Sequence, residues 1–215
     1  MFIFAASGNA AAMTMRVAGN QAILSGQLVP SDEEQFSQLV QANPAIATVV
    51  LWNSPGGSAR ANAGLTQIIQ DRKLNTAVAG YCVSACAMVF LSGSQRYFSD
   101  RESLDATSLG FHGSYVQGTL APEKRLQFLE NLVETESAGK ADAKLVDRWL
   151  HFTDEHETVR FRYPGSDGAP KAATVFDCQG PGPNRGDYDS CTPIDGPNAL
   201  SMGIITSTSI VHVER

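Results

Sequence analysis

Two glycine-flanked turns and one histidine carry the residue types that acyl-transfer chemistry needs. The first turn, Asn53-Ser-Pro-Gly-Gly57, follows an apolar run at residues 47–52 that has the length of a buried strand. Consecutive glycines open backbone conformations that other residues rarely take, and they expose N–H groups. Such a turn at a helix start can hold an oxyanion, although a plain Pro-Gly turn is an equal alternative.

The second turn places Ser84 between a predicted strand, residues 76–80, and a short apolar helix, residues 84–91. This placement would present the Ser84 hydroxyl at the carboxyl end of the strand, with the N–H of Ala85 pointing the same way. A serine between a strand and a helix is the arrangement of a nucleophile elbow, although the usual Gly-x-Ser-x-Gly motif is absent. Taken alone, a helix N-cap is the simpler interpretation of Ser84.

The third segment is Leu109-Gly-Phe-His112-Gly, in which a histidine follows a predicted strand and precedes a glycine. Imidazole is the usual base that activates a serine near neutral pH. A single histidine is more often structural or exposed. The three segments together, however, supply different roles in one reaction, which favours the catalytic interpretation of His112.

The elements that must position these residues follow an α/β pattern. Residues 12–28 predict two strands that turn at Gly19-Asn20, and a capping box at Ser31-Asp-Glu-Glu34 begins a helix that should end before Asn43-Pro44. The buried strand, a helix over residues 59–74 and the segments around Ser84 come next. This alternation predicts a largely parallel sheet flanked by helices.

The chain changes character after His112. Residues 121–157 predict a helical segment, residues 163–197 are rich in Gly, Pro and Asp and predict a long loop, and the last segment from Ala199 to Val213 predicts a short helix and a strand. We expect residues 13–215 to form a single domain. Residues 1–12 are expected to be an N-terminal lead, either disordered or the remnant of a secretory signal.

Composition narrows the classes of function. The chain has 16 basic and 22 acidic side chains and a formal net charge of −6, which argues against nucleic-acid binding. No apolar stretch is long enough to predict a transmembrane helix. Charged residues make up 18% of the chain, below the roughly 25% of typical soluble domains, which is compatible with a surface covered in an assembly.

Four cysteines permit two disulfides in three pairings, and they favour an oxidising compartment. We expect a Cys178–Cys191 bridge that closes the Gly-rich loop. A Cys82–Cys86 bond would be geometrically tight, and a bridge from either residue to another segment is the alternative. Zinc would need four converging thiolates, and these spacings are not its usual ones, so we predict no metal and no cofactor.

Together these segments resemble the Clp-protease-like branch of the Clp/crotonase superfamily, and more closely its secreted or periplasmic Clp-like proteins. The resemblance rests on residues 49–57, 78–87, 109–112 and 198–206. It implies a fold of stacked β-β-α units and a serine peptidase that acts on peptides. We expect this peptidase to act without an ATPase, because the sequence has no obvious docking feature for an unfolding ATPase and a secreted location would lack ATP. The resemblance also implies a homo-oligomer and a periplasmic or secreted location, with a cytoplasmic location as the alternative.

The resemblance assigns a role to each candidate residue. Ser84 matches the nucleophile, His112 matches the general base, and the N–H groups of Gly57 and Ala85 match the oxyanion hole. In this reaction Ser84 attacks an acyl carbon while His112 takes its proton, and water later releases the acyl-enzyme.

The acid that orients the histidine is the weak point of the match, because Cys191 falls about where the family has its acid. We predict Asp189 for this role, with Asp187 in reserve. Asp147 and Asp154 in the helical segment are further alternatives.

Other functions stay open beside the peptidase. An esterase or thioesterase could use the same Ser84 on small acyl substrates, and a non-catalytic binding or assembly module would fit the missing clear acid. A crotonase-type reaction on a coenzyme A thioester ranks last because it needs no nucleophilic serine. A Ser–Lys dyad is less favoured because His112 takes the base position; its candidate lysines are Lys124, Lys140 and Lys144.

Overall fold

The computed structural model describes residues 11–165, 173–179 and 190–214, which form strands and helices in alternation through the first half. The helices are α1 (Asp32–Ala42), α2 (Ala59–Asp71), α3 (Ala85–Leu91), α4 (Glu123–Glu136) and α5 (Ala143–Leu150). The strands of the first half are β1 (Thr14–Ala18), β2 (Gln21–Ser25), β3 (Thr48–Ser54), β4 (Asn75–Val83), β5 (Arg96–Ser99) and β6 (Ser108–Phe111). Those of the second half are β7 (Tyr115–Val116), β8 (Thr119–Leu120), β9 (Thr158–Arg162), β10 (Val175–Cys178), β11 (Cys191–Ile194) and β12 (Ile210–Val211). Among the described helices, none combines the length and the apolar character that crossing a membrane requires.

The large sheet has a parallel centre with antiparallel edges. Its order is β1-β2-β3-β4-β6-β9-β10-β11, and β5 and β12 extend it from the first half of β4. The pairs β2–β3, β3–β4 and β4–β6 are parallel, as are the pairs that β5 makes with β4 and β12. Strand β1 pairs antiparallel with β2, and β9, β10 and β11 form the antiparallel edge beyond β6. The prediction of a mixed α/β fold with a mostly parallel sheet flanked by helices is confirmed.

Strand β4 changes its partner halfway along its length. Its first half, residues 76–78, pairs with β5, and its second half, residues 81–83, pairs with β6. The change falls at Gly80, whose φ is +60° and whose N–H donates to the Thr107 hydroxyl over 3.0 Å. The bend therefore aims the end of β4 along β6.

A bulge in β3 supports this bend. The register of β3 against β4 shifts next to Asn53, which has a φ of +49°. The side-chain oxygen of Asn53 accepts the N–H of Tyr81 over 3.3 Å. A Cβ on Gly80 would lie 1.9 Å from that oxygen, so only glycine fits there without a shift of Asn53.

Apolar side chains cover both faces of the central strands. Leu24 of β2 and Leu51 of β3 face the larger cluster, which α1, α2, α3 and the helices after residue 121 enclose. Their neighbours Ile23 and Val50 face a smaller cluster on the opposite side, together with Val213. Since successive side chains of a strand alternate between faces, the apolar run of β3 is explained by burial on both faces.

The start of α1 differs from the expected capping box. The Ser31 side chain makes no capping hydrogen bond, and the buried carboxylate of Asp32 instead accepts the N–H groups of Met13 (3.1 Å) and Val29 (2.7 Å). The predicted capping box is therefore wrong: the carboxylate of Asp32 binds the backbone just before the helix, at Val29, and the distant backbone of Met13. The predicted turn at Gly19-Asn20 and the helix end before Asn43 are confirmed.

The segment expected to be a long loop, residues 163–197, contains β10 and β11. These strands pair with each other and are joined by the Cys178–Cys191 disulfide, which confirms that bridge. The loop expectation is wrong for the described part, since β10 also pairs with β9 and so extends the sheet. Residues 180–189 lie outside the described residues.

The short helix expected after Ala199 is also absent from the described C-terminal segment, where turns lead to β12. Gly203 has a φ of +65° and packs against the Ser137 backbone. The carbonyl groups of Gly203 and Ile204 accept hydrogen bonds from the buried guanidinium of Arg96 over 2.8 and 2.9 Å. These contacts hold the segment in turns, because a helix would use the same carbonyls internally.

The bend at Gly80 gives the first testable prediction. Gly80→Ala adds both a strained φ and a clash with Asn53, whereas Gly118→Ala, at a φ of +75° with open space around it, adds only the strain. We expect Gly80→Ala to lower the free energy of unfolding by about 1–3 kcal/mol more than Gly118→Ala does. Urea unfolding followed by circular dichroism measures the difference, and equal losses would show that the contact with Asn53 is unimportant.

Candidate active site

Ser84 occupies a strained backbone conformation between β4 and α3. Its φ is +58° and its ψ is −125°, a region that costs non-glycine residues of the order of 1–3 kcal/mol. The Ser84 N–H donates to the Gly110 carbonyl over 2.9 Å, and its own carbonyl accepts from Met88. The Ser84 side chain makes no capping hydrogen bond. The backbone therefore holds the turn, and the hydroxyl is not used as a helix cap.

A disulfide between Cys82 and Cys86 spans this turn. The sequence left this pairing as a tight alternative, and the structure adopts it because the turn at Ser84 brings the two Cα atoms to 5.3 Å. Both cysteines are fully buried. Together with Cys178–Cys191, the bond consumes the four thiols that a zinc site would need. Two disulfides indicate a non-reducing environment.

The Asn53–Gly57 turn lies directly against Ser84. Gly56 has a φ of +89°, and a Cβ placed on it would lie 2.8 Å from the Ala85 nitrogen and 2.9 Å from the Ser84 Cβ. Glycine is needed at this position because the two turns touch through their backbones.

Gly57, the next residue, lines the same cavity as Ser84. A parallel bridge joins residue 57 to Leu28, and it uses the carbonyl of Gly56 and the N–H of Ser58 over 2.8 and 2.9 Å. Since backbone groups alternate in direction along an extended chain, the Gly57 N–H points away from Leu28. Ala85 is the first residue of α3, where N–H groups have no partner within the helix.

His112 follows β6 and leaves the sheet at the same end as Ser84. Val83 pairs with Gly110, so the residues after them, Ser84 and Phe111, are neighbours across the two strands. The His112 ring lies 5.4 Å from the Tyr115 ring, centroid to centroid. Register thus brings the serine and the histidine to one edge of the sheet.

The surroundings of His112 keep its ring neutral. The pKa of His112 is lowered to about 4, mainly by burial and to a smaller extent by the positive charge of Arg160, while a hydrogen bond with the Gly113 backbone partly offsets these effects. An imidazole with this pKa is unprotonated at pH 7, which is the form that a general base requires. Its Nδ1 atom is buried and has no hydrogen-bond partner among the described residues.

The sequence-predicted residues Ser84, His112, Gly57 and Ala85 line one cavity of about 160 Å³. In the described part of the chain, no hydrogen bond joins the Ser84 hydroxyl to the His112 ring. The structure thus brings together the proposed nucleophile, base and oxyanion donors. A larger groove of about 630 Å³ between α1 and α2 contains none of them.

The structure does not place an acid behind His112. Asp189 and Asp187 lie outside the described residues. The Asp147 carboxylate pairs with His151 over 3.1 Å, and a carboxylate oxygen of Asp154 accepts the His156 N–H over 2.9 Å. Asp147 and Asp154, the two alternatives in the helical segment, therefore bind other groups.

Sequence reasoning missed several side chains of this cavity. Asn62 of α2 donates to the Ala85 carbonyl over 3.0 Å and so holds the peptide group between Ala85 and Cys86 in the first turn of α3. The hydroxyl of Tyr115 donates to the Phe152 carbonyl over 2.6 Å, and burial together with nearby carboxylates raises the pKa of Tyr115 to about 12. Met88, Arg125 and Leu129 complete the wall. No local motif marks these residues, because they come from elements that only the fold brings together.

Within residues 11–165, 173–179 and 190–214, no group of three or more histidine, cysteine, aspartate or glutamate side chains is arranged to hold a metal ion.

Comparison with known proteins supports the architecture. No model of a known protein family matches the chain, and no curated protein matches it. Among solved structures, a mutant of ClpP1 from Listeria monocytogenes is similar over 92% of both chains, at 12% identity and a TM-score of 0.52. The chain has a Clp-protease-like fold. The predicted resemblance is confirmed at the level of this fold.

Two structures of the 1510-N membrane-bound stomatin-specific protease are also similar to parts of the chain. One mutant matches 63% of this chain and 72% of its own, at 18% identity and a TM-score of 0.46. A second mutant, in complex with a substrate peptide, matches 60% of this chain and 64% of its own, at 17% identity and a TM-score of 0.44.

The strained backbone of Ser84 gives the second testable prediction. Ser84→Gly relieves the strain and Ser84→Ala retains it, so we expect the glycine variant to be more stable by about 1 kcal/mol. The matched pair Ser94→Gly and Ser94→Ala, at an exposed serine without a positive φ, should show the opposite order. Urea unfolding of the four variants measures this, and a Ser84→Gly variant no more stable than Ser84→Ala would contradict the strain.

Proposed function

We propose that this chain is a serine hydrolase, and specifically a Clp-like peptidase, with Ser84 as nucleophile and His112 as general base. The observation that carries the proposal is one cavity lined by a strained serine, a neutral imidazole, Gly57 of the glycine-rich turn and Ala85 at the start of α3. Strained backbone conformations of this kind cluster at active sites because only function repays their cost. The Clp-protease-like fold is compatible with this chemistry.

The proposed reaction proceeds in two steps. The Ser84 oxygen attacks the carbonyl carbon of a peptide while His112 takes the hydroxyl proton, and the N–H groups of Gly57 and Ala85 stabilise the oxyanion. The C–N bond then breaks, and the imidazolium returns its proton to the departing amine. His112 next removes a proton from water, and the oxygen of this water attacks the acyl carbon. The C–O bond to Ser84 then breaks, and the imidazolium gives its proton to the Ser84 oxygen, which frees the carboxylic acid and regenerates the hydroxyl.

Asp189 is the proposed acid that orients the imidazole. A buried Nδ1 without a partner among the described residues requires an acceptor from elsewhere. Val159 of β9 pairs with Phe111, and Cys178 of β10 pairs with Thr158, so the Cys178–Cys191 disulfide lies at the sheet end where His112 emerges. Asp189 precedes Cys191 by two residues in the sequence, and Asp187 stays in reserve.

The wider setting of the proposed enzyme follows from the same features. Two disulfides support a periplasmic or secreted location, where the enzyme would act without an ATPase. A homo-oligomer is proposed because charged residues are few and because Val116 and Phe128 are exposed. The substrate is a peptide or unfolded chain, and nucleic acid is not a partner.

The third testable prediction concerns the reactivity of Ser84. We expect a fluorophosphonate probe to label the wild-type protein at Ser84, with labelling abolished in Ser84→Ala and slowed at least 100-fold in His112→Ala. Ser94→Ala and His212→Ala, at exposed sites outside the cavity, should label like wild type. Peptide mapping by mass spectrometry identifies the labelled residue.

Hydrolysis of a fluorescent casein and of p-nitrophenyl esters then defines the reaction. Loss of casein cleavage in Ser84→Ala supports the peptidase, whereas turnover of esters alone would move the assignment to an esterase. Absence of both labelling and turnover in a folded sample would leave a non-catalytic module with this fold.

A further inference from the structure

The cavity around Ser84 has a charge that the proposed reaction does not use. Arg125, in the first turn of α4, lines the cavity together with Ser84 and His112. Its guanidinium carbon lies 5.2 Å from the centroid of the Phe128 ring, on the exposed side of α4. The side chain is exposed, so the guanidinium can reach a ligand that enters from solvent.

Arg125 carries the only formal charge among the described residues that line this cavity. The other lining side chains are apolar or neutral: burial keeps His112 unprotonated at pH 7, and the raised pKa of Tyr115 keeps its hydroxyl neutral. No carboxylate stands on the described wall to neutralise Arg125. Arg125 is therefore the one charged side chain, among the described residues, that a substrate in this cavity would meet.

The size of the cavity limits where a complementary group can be. At about 160 Å³ it holds one side chain or chain end beside the scissile carbonyl, and little more. A planar guanidinium is suited to bind a carboxylate through two parallel hydrogen bonds.

We propose that the substrate of Ser84 bears a carboxylate within one or two residues of the scissile bond and that Arg125 binds it. This inference rests on the proposed function and adds the substrate class to it. Arg125 acts here in substrate selection, since it takes no part in the transfer of the acyl group. The carboxylate comes from an aspartate or glutamate side chain or from the free carboxyl end of a peptide.

The fourth testable prediction compares matched substrates in the full-length oxidised protein. Blocked peptidyl-coumarin substrates that end in Glu or Gln test a side-chain carboxylate, and internally quenched peptides with a free or an amidated end test a terminal one. We expect the acid to be preferred at least tenfold in kcat/KM in one of these pairs, mainly through KM, because the contact is made equally in the ground state and the transition state.

Two variants separate Arg125 from a general charge effect. Arg125→Gln should abolish the preference, and Lys124→Gln, at the exposed neighbour that does not line the cavity, should retain it. Equal rates for acid and amide in both pairs, or a preference that survives in Arg125→Gln, would overturn the proposal.

A binding measurement keeps this proposal distinct from the peptidase proposal. In the Ser84→Ala variant, fluorescence anisotropy of the labelled acid and amide peptides of the preferred pair should show the same tenfold preference without any turnover, and the additional change Arg125→Gln should remove it. Preferential binding with no hydrolysis by wild type would contradict the peptidase and support the carboxylate site. Hydrolysis by wild type without preferential binding of the acid would support the peptidase and contradict the carboxylate site.

Discussion

The change of partner in strand β4 at Gly80 is the constraint on which the candidate site depends. Before this residue β4 pairs with β5, and after it the strand runs beside β6, which leads into His112. The bend exists because glycine takes a positive φ there and because Asn53 of the adjacent bulge accepts the following N–H. Without the bend at Gly80, β4 would continue along β5, and Ser84 and His112 would lie apart.

Several contacts stabilise the turn at Ser84, whose backbone conformation is strained. The Cys82–Cys86 disulfide spans the turn, Gly56 packs against the Ser84 backbone, and Asn62 binds the Ala85 carbonyl. These contacts hold Ser84 at a φ of +58°, which an isolated chain would avoid. Burial lowers the pKa of His112 to about 4, so its ring is neutral over the physiological range.

The sequence predicted the features that depend on local chemistry. The Gly56-Gly57 turn, the strand-to-helix junction at Ser84 and the Cys178–Cys191 bridge all leave local signals, and the structure contains each of them. Features set by pairing between distant segments were missed: β10 and β11 lie in a segment whose composition resembles a loop. At the start of α1, Ser31 makes no capping hydrogen bond, and Asp32 instead binds the backbone of Met13. No local motif marks Arg125, because its place on the cavity wall depends on where α4 packs.

The pH dependence of Ser84 labelling tests most directly whether the buried imidazole controls the serine. The rate constant for fluorophosphonate labelling should be measured from pH 3.5 to 8 in wild type, Asp189→Asn and His112→Gln, with circular dichroism to verify folding. Protonation removes the base, so the rate should fall as the pH drops, with a midpoint near 4 in wild type. If Asp189 pairs with the imidazole, the midpoint in Asp189→Asn should be lower, because a paired carboxylate favours the imidazolium. A rate that does not fall with acid, or a profile unchanged in His112→Gln, would contradict the account.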